Sequence, residues 1–137
     1  MTEQKTGRWN RYLPNDGGVE GSHWSTQDLA VFLGHYGNTV DRVGNEDGSY
    51  LCALKNGEPT SFEDRSLPVD ALKLPYARYR VAEQWPDGLE GSTVQAALVA
   101  PWFGRAGGSI QVLFLDGQGR LITTEELLKT GVLSYDR

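Results

Sequence analysis

The chain has 137 residues, a length that allows one domain with a single hydrophobic core. It carries 13 Lys or Arg against 18 Asp or Glu, and this acidic balance argues against general nucleic-acid binding, which needs clustered cations. No stretch is apolar for the length of a membrane span, and no signal peptide is recognised at the start, so we expect neither.

The first predicted elements follow a polar beginning. Residues 1–11 are polar and lack periodicity, which predicts a tail, so we expect the folded domain to span residues 12–137. The apolar run 29–33 follows Ser25 and Asp28, which fit a capping box loosely and favour a short helix. A strand through Val31 is the alternative.

Most of the remaining pattern is typical of strands. Two strands at residues 39–42 and 49–54 are predicted around the glycine-containing turn 44–48, with Arg42 and Tyr50 at the ends of the hairpin. Further strands are predicted at residues 76–81, 93–100, 112–115 and 120–123, and a last helix at 124–129, stopped by Gly131. This pattern predicts an α+β fold, a compact single domain centred on a mainly antiparallel twisted β-sheet with one or two short helices.

The segment 101–111 is the strongest candidate for a ligand pocket. It combines the aromatic pair Trp102 and Phe103 with the glycines Gly107 and Gly108, which let the backbone approach a ligand closely because they have no Cβ. Gln111 follows where a loop enters the apolar run 112–115, and this position holds its amide rigidly. A plain hairpin turn with a polar residue at its rim is the alternative.

Other residues that often carry chemistry are less informative. Cys52 is the only cysteine and lies among apolar neighbours, so we expect a buried structural thiol, no internal disulfide and no cysteine-based metal site. His23 and His35 stand in no metal-ligand spacing, and we expect no bound metal.

Four segments in order carry a resemblance to a known family. They are residues 41–50, 62–68, 101–111, which reads Pro-Trp-Phe-Gly-x-x-Gly-Gly-x-x-Gln, and 127–133. The chain resembles the tuberculosis necrotizing toxin domain, a family of NAD⁺ glycohydrolases of bacterial toxins and fungal secreted enzymes. The similarity runs from about Leu13 to Tyr135, and it implies a sheet-centred domain.

The resemblance also implies roles for individual residues. Gln111 and Arg65 occupy the positions of family catalytic residues, and a further set matches positions that line the substrate site: Arg42, Tyr50, Phe103, Gly107 and Gly108. Among these, Arg42 and Arg65 are expected near the phosphates, and Tyr50 or Phe103 near the nicotinamide ring. Ala77 stands where the best-known toxin of the family has a histidine, which implies altered tuning or a different base contact.

The implied reaction is hydrolysis of the nicotinamide–ribose bond of NAD⁺, and also of NADP⁺, to nicotinamide and the ADP-ribose product. NAD⁺ is then the substrate and no cofactor is expected. The family further implies a toxic domain that is secreted or delivered into a target cell as an effector, with a cognate immunity protein as a partner. A nucleotide-binding or interaction module that has lost its chemistry is the alternative. An ADP-ribosyltransferase ranks below both, because no Glu-x-Glu-like motif is present.

Overall fold

One antiparallel sheet of seven strands organises the computed structural model, which describes residues 23–54, 74–98 and 109–136. The strands are β1 (Trp24–Thr26), β2 (Thr39–Val43), β3 (Leu51–Ala53), β4 (Tyr76–Val81), β5 (Thr93–Leu98), β6 (Ile110–Leu115) and β7 (Leu133–Tyr135). Their order in the sheet is β1-β5-β6-β3-β2-β4-β7. The helices are α1 (Leu29–Tyr36) and α2 (Thr124–Thr130). The predicted α+β class with a mainly antiparallel sheet is confirmed.

Helix α1 forms where the apolar run 29–33 was expected to be a helix or a strand. The Asp28 carboxylate accepts a hydrogen bond of 2.9 Å from the Ala30 N–H and so caps the first turn. Gly37, at φ +81°, ends the helix and donates its N–H to the Leu33 carbonyl. The predicted capping box was wrong in its first residue, because Ser25 lies in β1 and Asp28 is itself the N-cap.

Helix α2 confirms the predicted last helix and has caps at both ends. The Thr123 hydroxyl accepts from the Glu126 N–H at 3.2 Å and donates to the Glu126 carboxylate at 3.1 Å. Gly131 follows in the left-handed conformation at φ +90°, which suits glycine because it lacks a Cβ.

The hydrophobic core lies on one face of the sheet, which we call the helix face, because both helices pack there. Phe32 of α1 contacts Phe114 of β6, with ring centroids 6.4 Å apart. Leu127 of α2 belongs to the same buried cluster as Val40 and Tyr79 of the sheet. Fully buried side chains on this face therefore tie both helices to the central strands.

The strand predictions differ from the structure in three places. The edge strand β1 and the last strand β7 were not predicted, because three-residue strands are too short to display an alternating pattern. The predicted strand 120–123 is reduced to an isolated bridge between Leu115 and Leu121. The backbone of this segment instead forms part of the turn around Asp116 at Arg120 and the N-cap of α2 at Thr123. The expected boundary between residues 11 and 12 lies outside the described residues.

Candidate active site

The face opposite the helices carries a row of side chains that crosses five strands. Side chains of directly paired residues project from the same face of an antiparallel sheet. Ala97 pairs with Gln111, Gln111 with Cys52, Cys52 with Asp41, and Asp41 with Arg78. We call this set the polar row, since four of its five members can hydrogen-bond or react.

Gln111 lies at the centre of this face, on β6 next to β3. Its relative exposure is 3 %. No hydrogen bond of its side-chain amide is found among residues 23–54, 74–98 and 109–136. Burying an amide without a partner costs about 1–3 kcal/mol, so buried amides in folded proteins have a protein group, a water or a ligand as partner. The Gln111 amide is therefore suited to a polar ligand.

Two members of the polar row, Asp41 and Arg78, are linked by hydrogen bonds through the Tyr76 hydroxyl. Asp41 is fully buried and accepts a hydrogen bond of 2.7 Å from the Tyr76 hydroxyl. Arg78 Nε in turn donates to the Tyr76 oxygen at 3.2 Å. Burial raises the pKa of Tyr76, and the bond to Asp41 raises it further. These hydrogen bonds hold the Tyr76 hydroxyl, the Asp41 carboxylate and the Arg78 guanidinium together on the same face as Gln111.

Cys52 pairs with Gln111 and differs from the buried thiol that was expected. Its side chain is half-buried. The sulfur lies 3.9 Å from the Ser109 hydroxyl oxygen, and Ser109 stands two residues before Gln111 on the same face. The sequence predicted burial from the apolar neighbours of Cys52, but strand alternation directs the flanking Leu51 and Ala53 to the helix face and Cys52 away from it.

Arg42 lies on the helix face and not beside Gln111. Arg42 is 8 % exposed, and its guanidinium donates from Nε to the Asn45 carbonyl at 2.7 Å and from Nη1 to the Tyr50 carbonyl at 2.8 Å. Burial lowers its pKa, and the nearby Asp47 carboxylate acts in the opposite direction. The Arg42 side chain therefore projects from the face opposite to that of Gln111. Contact of Arg42 with substrate phosphates stays a prediction.

The loop between β2 and β3 is fixed by Arg42 on one side and by α2 on the other. The Gly48 carbonyl accepts from both the backbone N–H and the hydroxyl of Thr124, at 2.8 and 2.9 Å. The Glu46 carbonyl accepts from the Glu125 N–H at 2.8 Å. These carbonyls therefore satisfy donors at the N-terminus of α2, which have no partner within the helix.

The Glu46 side chain adds a further connection between this loop and the sheet. Its Oε2 accepts hydrogen bonds from the hydroxyls of Tyr79 on β4 and Tyr135 on β7. Burial raises the pKa of Tyr79, and the charge of Glu46 raises it further. Two strands and the loop are joined through one carboxylate oxygen.

The remaining predicted site residues divide into two groups. Tyr50 is half-buried and directly precedes β3, where its carbonyl receives the Arg42 guanidinium. Arg65, Phe103, Gly107 and Gly108 lie outside the described residues. Their expected contacts with substrate stay predictions.

Sequence reasoning missed three members of this surface: Asp41, Tyr76 and Arg78. The available signal was the alternation along residues 76–80, where Tyr76, Arg78 and Arg80 share one parity. Their common face with Gln111 depends on pairing through β3, which joins residues far apart in the chain.

Within residues 23–54, 74–98 and 109–136, no group of three or more His, Cys, Asp or Glu side chains is arranged to hold a metal ion. In the same part of the chain, no helix combines the length and apolar character needed to cross a membrane.

A family model described as tuberculosis necrotizing toxin matches residues 35–135. The chain belongs to this family. It is 38 % identical over 126 residues to the outer membrane channel protein CpnT of Mycobacterium tuberculosis, and equally to that of Mycobacterium bovis. The match covers 92 % of this chain and 14 % of those relatives, so the chain spans about a seventh of their length.

A solved structure supports the same assignment. It is the complex of tuberculosis necrotizing toxin with its immunity factor IFT, and it superposes with a TM-score of 0.83 at 39 % identity. The match covers 90 % of this chain and 60 % of the solved chain. Fold and sequence therefore agree on a toxin domain of the tuberculosis necrotizing toxin family.

Proposed function

We propose that this toxin domain is an NAD⁺ glycohydrolase that also accepts NADP⁺, releasing nicotinamide and leaving the ADP-ribose product. The observation that carries the proposal is the Gln111 amide, which is 3 % exposed and has no hydrogen-bond partner among the described residues. It stands at the glutamine position of the segment that resembles the NAD⁺ glycohydrolase motif. A ribose hydroxyl or the attacking water would satisfy this amide.

The chemistry suits a site that lacks a dedicated acid. The oxygen of water bonds to C1′ of the ribose, the C1′–N bond breaks with its electrons going to the pyridinium nitrogen, and one proton passes to solvent. Because the nicotinamide leaves as a neutral molecule, it needs no protonation, unlike the leaving group of an ordinary glycoside. The protein must orient the ribose and the water and stabilise the developing oxocarbenium ion, and Gln111 supplies a fixed dipole for this.

The position of Ala77 is compatible with this reaction. Ala77 pairs with Arg42, so its side chain projects to the helix face, away from the side chain of Gln111. A histidine is therefore not needed there to complete the polar row. This geometry favours hydrolysis over the alternative of a binding module that lost its activity through the change at residue 77.

The decisive experiment compares Gln111→Ala with Gln84→Ala, using the fluorescence of etheno-NAD⁺ to follow cleavage. Gln84 is exposed in the segment after β4 and serves as the matched control. Loss of one transition-state hydrogen bond lowers the rate by about 10²-fold or more, and we expect this only for Gln111→Ala. Cleavage at the parental rate by Gln111→Ala would refute the assignment, and absence of cleavage by the unaltered chain would favour the binding module.

The proposal extends to partner and location. The related solved toxin is bound to an immunity factor, and we propose that a cognate immunity protein binds this chain as well. We also propose that the domain acts as an effector inside a recipient cell, where hydrolysis depletes the nucleotide pool. Expression of the chain in a host cell should lower its NAD⁺ content, and the Gln111→Ala variant should leave that content near normal.

A further inference from the structure

Cys52 and Gln111 are direct partners on neighbouring strands. Their pairing places the two Cβ atoms about 4.5–5.5 Å apart on the face opposite the helices. The sulfur points toward the same edge of the site as Ser109, whose hydroxyl oxygen lies 3.9 Å away. The thiol is therefore a neighbour of whatever group binds the Gln111 amide.

The two side chains differ in their access to solvent. Gln111 is 3 % exposed, whereas Cys52 is half-buried. A reagent that reaches Cys52 from solvent therefore arrives beside a buried amide that has no partner among the described residues. That amide, and not the cysteine by itself, identifies the surface as a ligand site.

We propose that Cys52 forms part of the wall of the ligand site, so that a bound ADP-ribosyl group covers its thiol and a substituent on its sulfur excludes the substrate. This inference rests on the proposed function, because it takes the ligand of Gln111 to be NAD⁺. It assigns Cys52 a contact role in binding and no role in bond cleavage. It also makes the activity sensitive to thiol-reactive electrophiles.

The matching probe is N-ethylmaleimide. The Cys52 thiolate adds to one carbon of the maleimide double bond, and the other carbon takes a proton, so no group leaves and no oxidant is required. The reagent has one cysteine to modify in this chain, and the mass of the intact protein reports its addition. The succinimide ring on the sulfur is larger than the thiol hydrogen it replaces and would occupy space next to Gln111.

The first measurement is NAD⁺ cleavage by the labelled protein. Displacing the substrate by about 1 Å can cost about 10²-fold in rate, and we expect a loss of at least that size. Cys52→Ser serves as the control, and whatever rate this variant has should be the same before and after maleimide treatment. Thermal unfolding of the labelled protein shows whether it remains folded.

The second measurement is the rate of labelling in the presence of ADP-ribose, which is the reaction product and is not consumed. At a concentration tenfold above its dissociation constant, ADP-ribose should slow labelling about tenfold, because only the free protein reacts. Adenine at the same concentration is the control ligand and should protect less, since it lacks the ribose that Gln111 is proposed to bind. This measurement uses the native protein and does not depend on the stability of the labelled form.

The outcomes separate this inference from the proposed function. Failure of native Cys52 to react, unaltered labelling with ADP-ribose, or full cleavage by folded labelled protein would each overturn the inference. In the last two cases the unlabelled protein can still cleave NAD⁺, and the proposed function then stands. If ADP-ribose binds the unlabelled protein and slows labelling of Cys52, but the protein does not cleave NAD⁺, the proposed function fails. The position of Cys52 in the wall of the ligand site is then supported.

Discussion

Asp41 and Arg42 are adjacent in the chain, yet their side chains lie on opposite faces of β2. Asp41 belongs to the polar row, whereas Arg42 binds the carbonyls of Asn45 and Tyr50 beneath the following loop. A buried cation used in this way acts on the conformation of the loop. Its influence on Tyr50, which was expected to line the pocket, passes through the backbone.

The first prediction concerns Arg42→Ala. The change removes the Arg42 donor from the Tyr50 carbonyl and leaves the Asn45 carbonyl with the Gly48 N–H alone. An unsatisfied buried group costs about 1–3 kcal/mol, so we expect the free energy of unfolding to fall by about 1–3 kcal/mol. Arg120→Ala is the control, because Arg120 is 75 % exposed and its ion pair with Asp116 is worth about 1 kcal/mol or less. Urea unfolding measures both. A raised KM with unchanged unfolding would instead show that Arg42 binds phosphate directly.

A second prediction at this scale concerns Tyr79 and pH. Burial raises its pKa above the ordinary value of 10.0, so the folded state favours the neutral phenol and this contribution to stability is complete below pH 10. It is lost as the pH rises from 10 toward the folded pKa, because the unfolded chain then releases the proton first. The free energy of unfolding should therefore fall above pH 10 for the parent chain and fall less for Tyr79→Phe. Equal slopes would contradict the raised pKa.

At the scale of elements, the conformation of the β2–β3 loop depends on its glycines as well as on its hydrogen bonds. A Cβ added at Gly48 would lie 1.9 Å from Arg42 Nη2, and Gly44 has φ +139° with Arg42 Nη2 at 2.9 Å from the position of a Cβ. The loop therefore closes directly over the guanidinium. Neither glycine can acquire a side chain without movement of Arg42 or of the backbone.

The third prediction compares Gly48→Ala with Gly34→Ala. Gly34 lies in α1 with no atom within 4 Å of an added Cβ, and alanine in a helix is favoured over glycine by about 0.5–1 kcal/mol. We expect Gly34→Ala to raise the melting temperature and Gly48→Ala to lower it, because the new methyl group displaces Arg42. A stabilising effect of Gly48→Ala would show that the loop adapts without loss of its contacts.

At the scale of the whole molecule, β7 forms one edge of the sheet and contributes to the hydrophobic core. Leu133 on β7 is 1 % exposed and pairs with Val81 of β4, although β7 has only three residues. Strand β7 thereby connects α2, which precedes it in the chain, to β4. We therefore expect β7 to contribute more to the free energy of unfolding than its three residues suggest.

The fourth prediction tests this contribution with Leu133→Ala, for which we expect a loss of about 2–5 kcal/mol, as for other buried leucines. Leu98→Ala at the end of β5 is the matched control, since Leu98 is 41 % exposed and should lose well under half as much. Chemical denaturation with a common m-value measures the difference. Similar losses at both positions would show that Leu133 on β7 stabilises the fold no more than an exposed leucine does.

The sequence allowed most elements to be predicted but not their arrangement. Strand β4 was predicted at its observed bounds, and α2 was predicted with Gly131 as its stop, because both signals are local. The placement of β5 and β6 between β1 and β3 depends on long-range pairing, which local patterns do not encode. For the same reason Gln111 was recognised as a candidate, but its alignment with Cys52 and its separation from Arg42 were not.

The division of the sheet into a helix face and a polar row has a consequence for how relatives of this domain diverge. Alternate residues of a strand such as β2 serve different purposes, because one set fills the core and the other lies on the face proposed to bind the ligand. A saturation library over residues 39–43, sorted once for folded protein and once for NAD⁺ cleavage, should give two interleaved tolerance profiles. Substitutions at one set of alternate residues can then change substrate preference, while the other set preserves the fold.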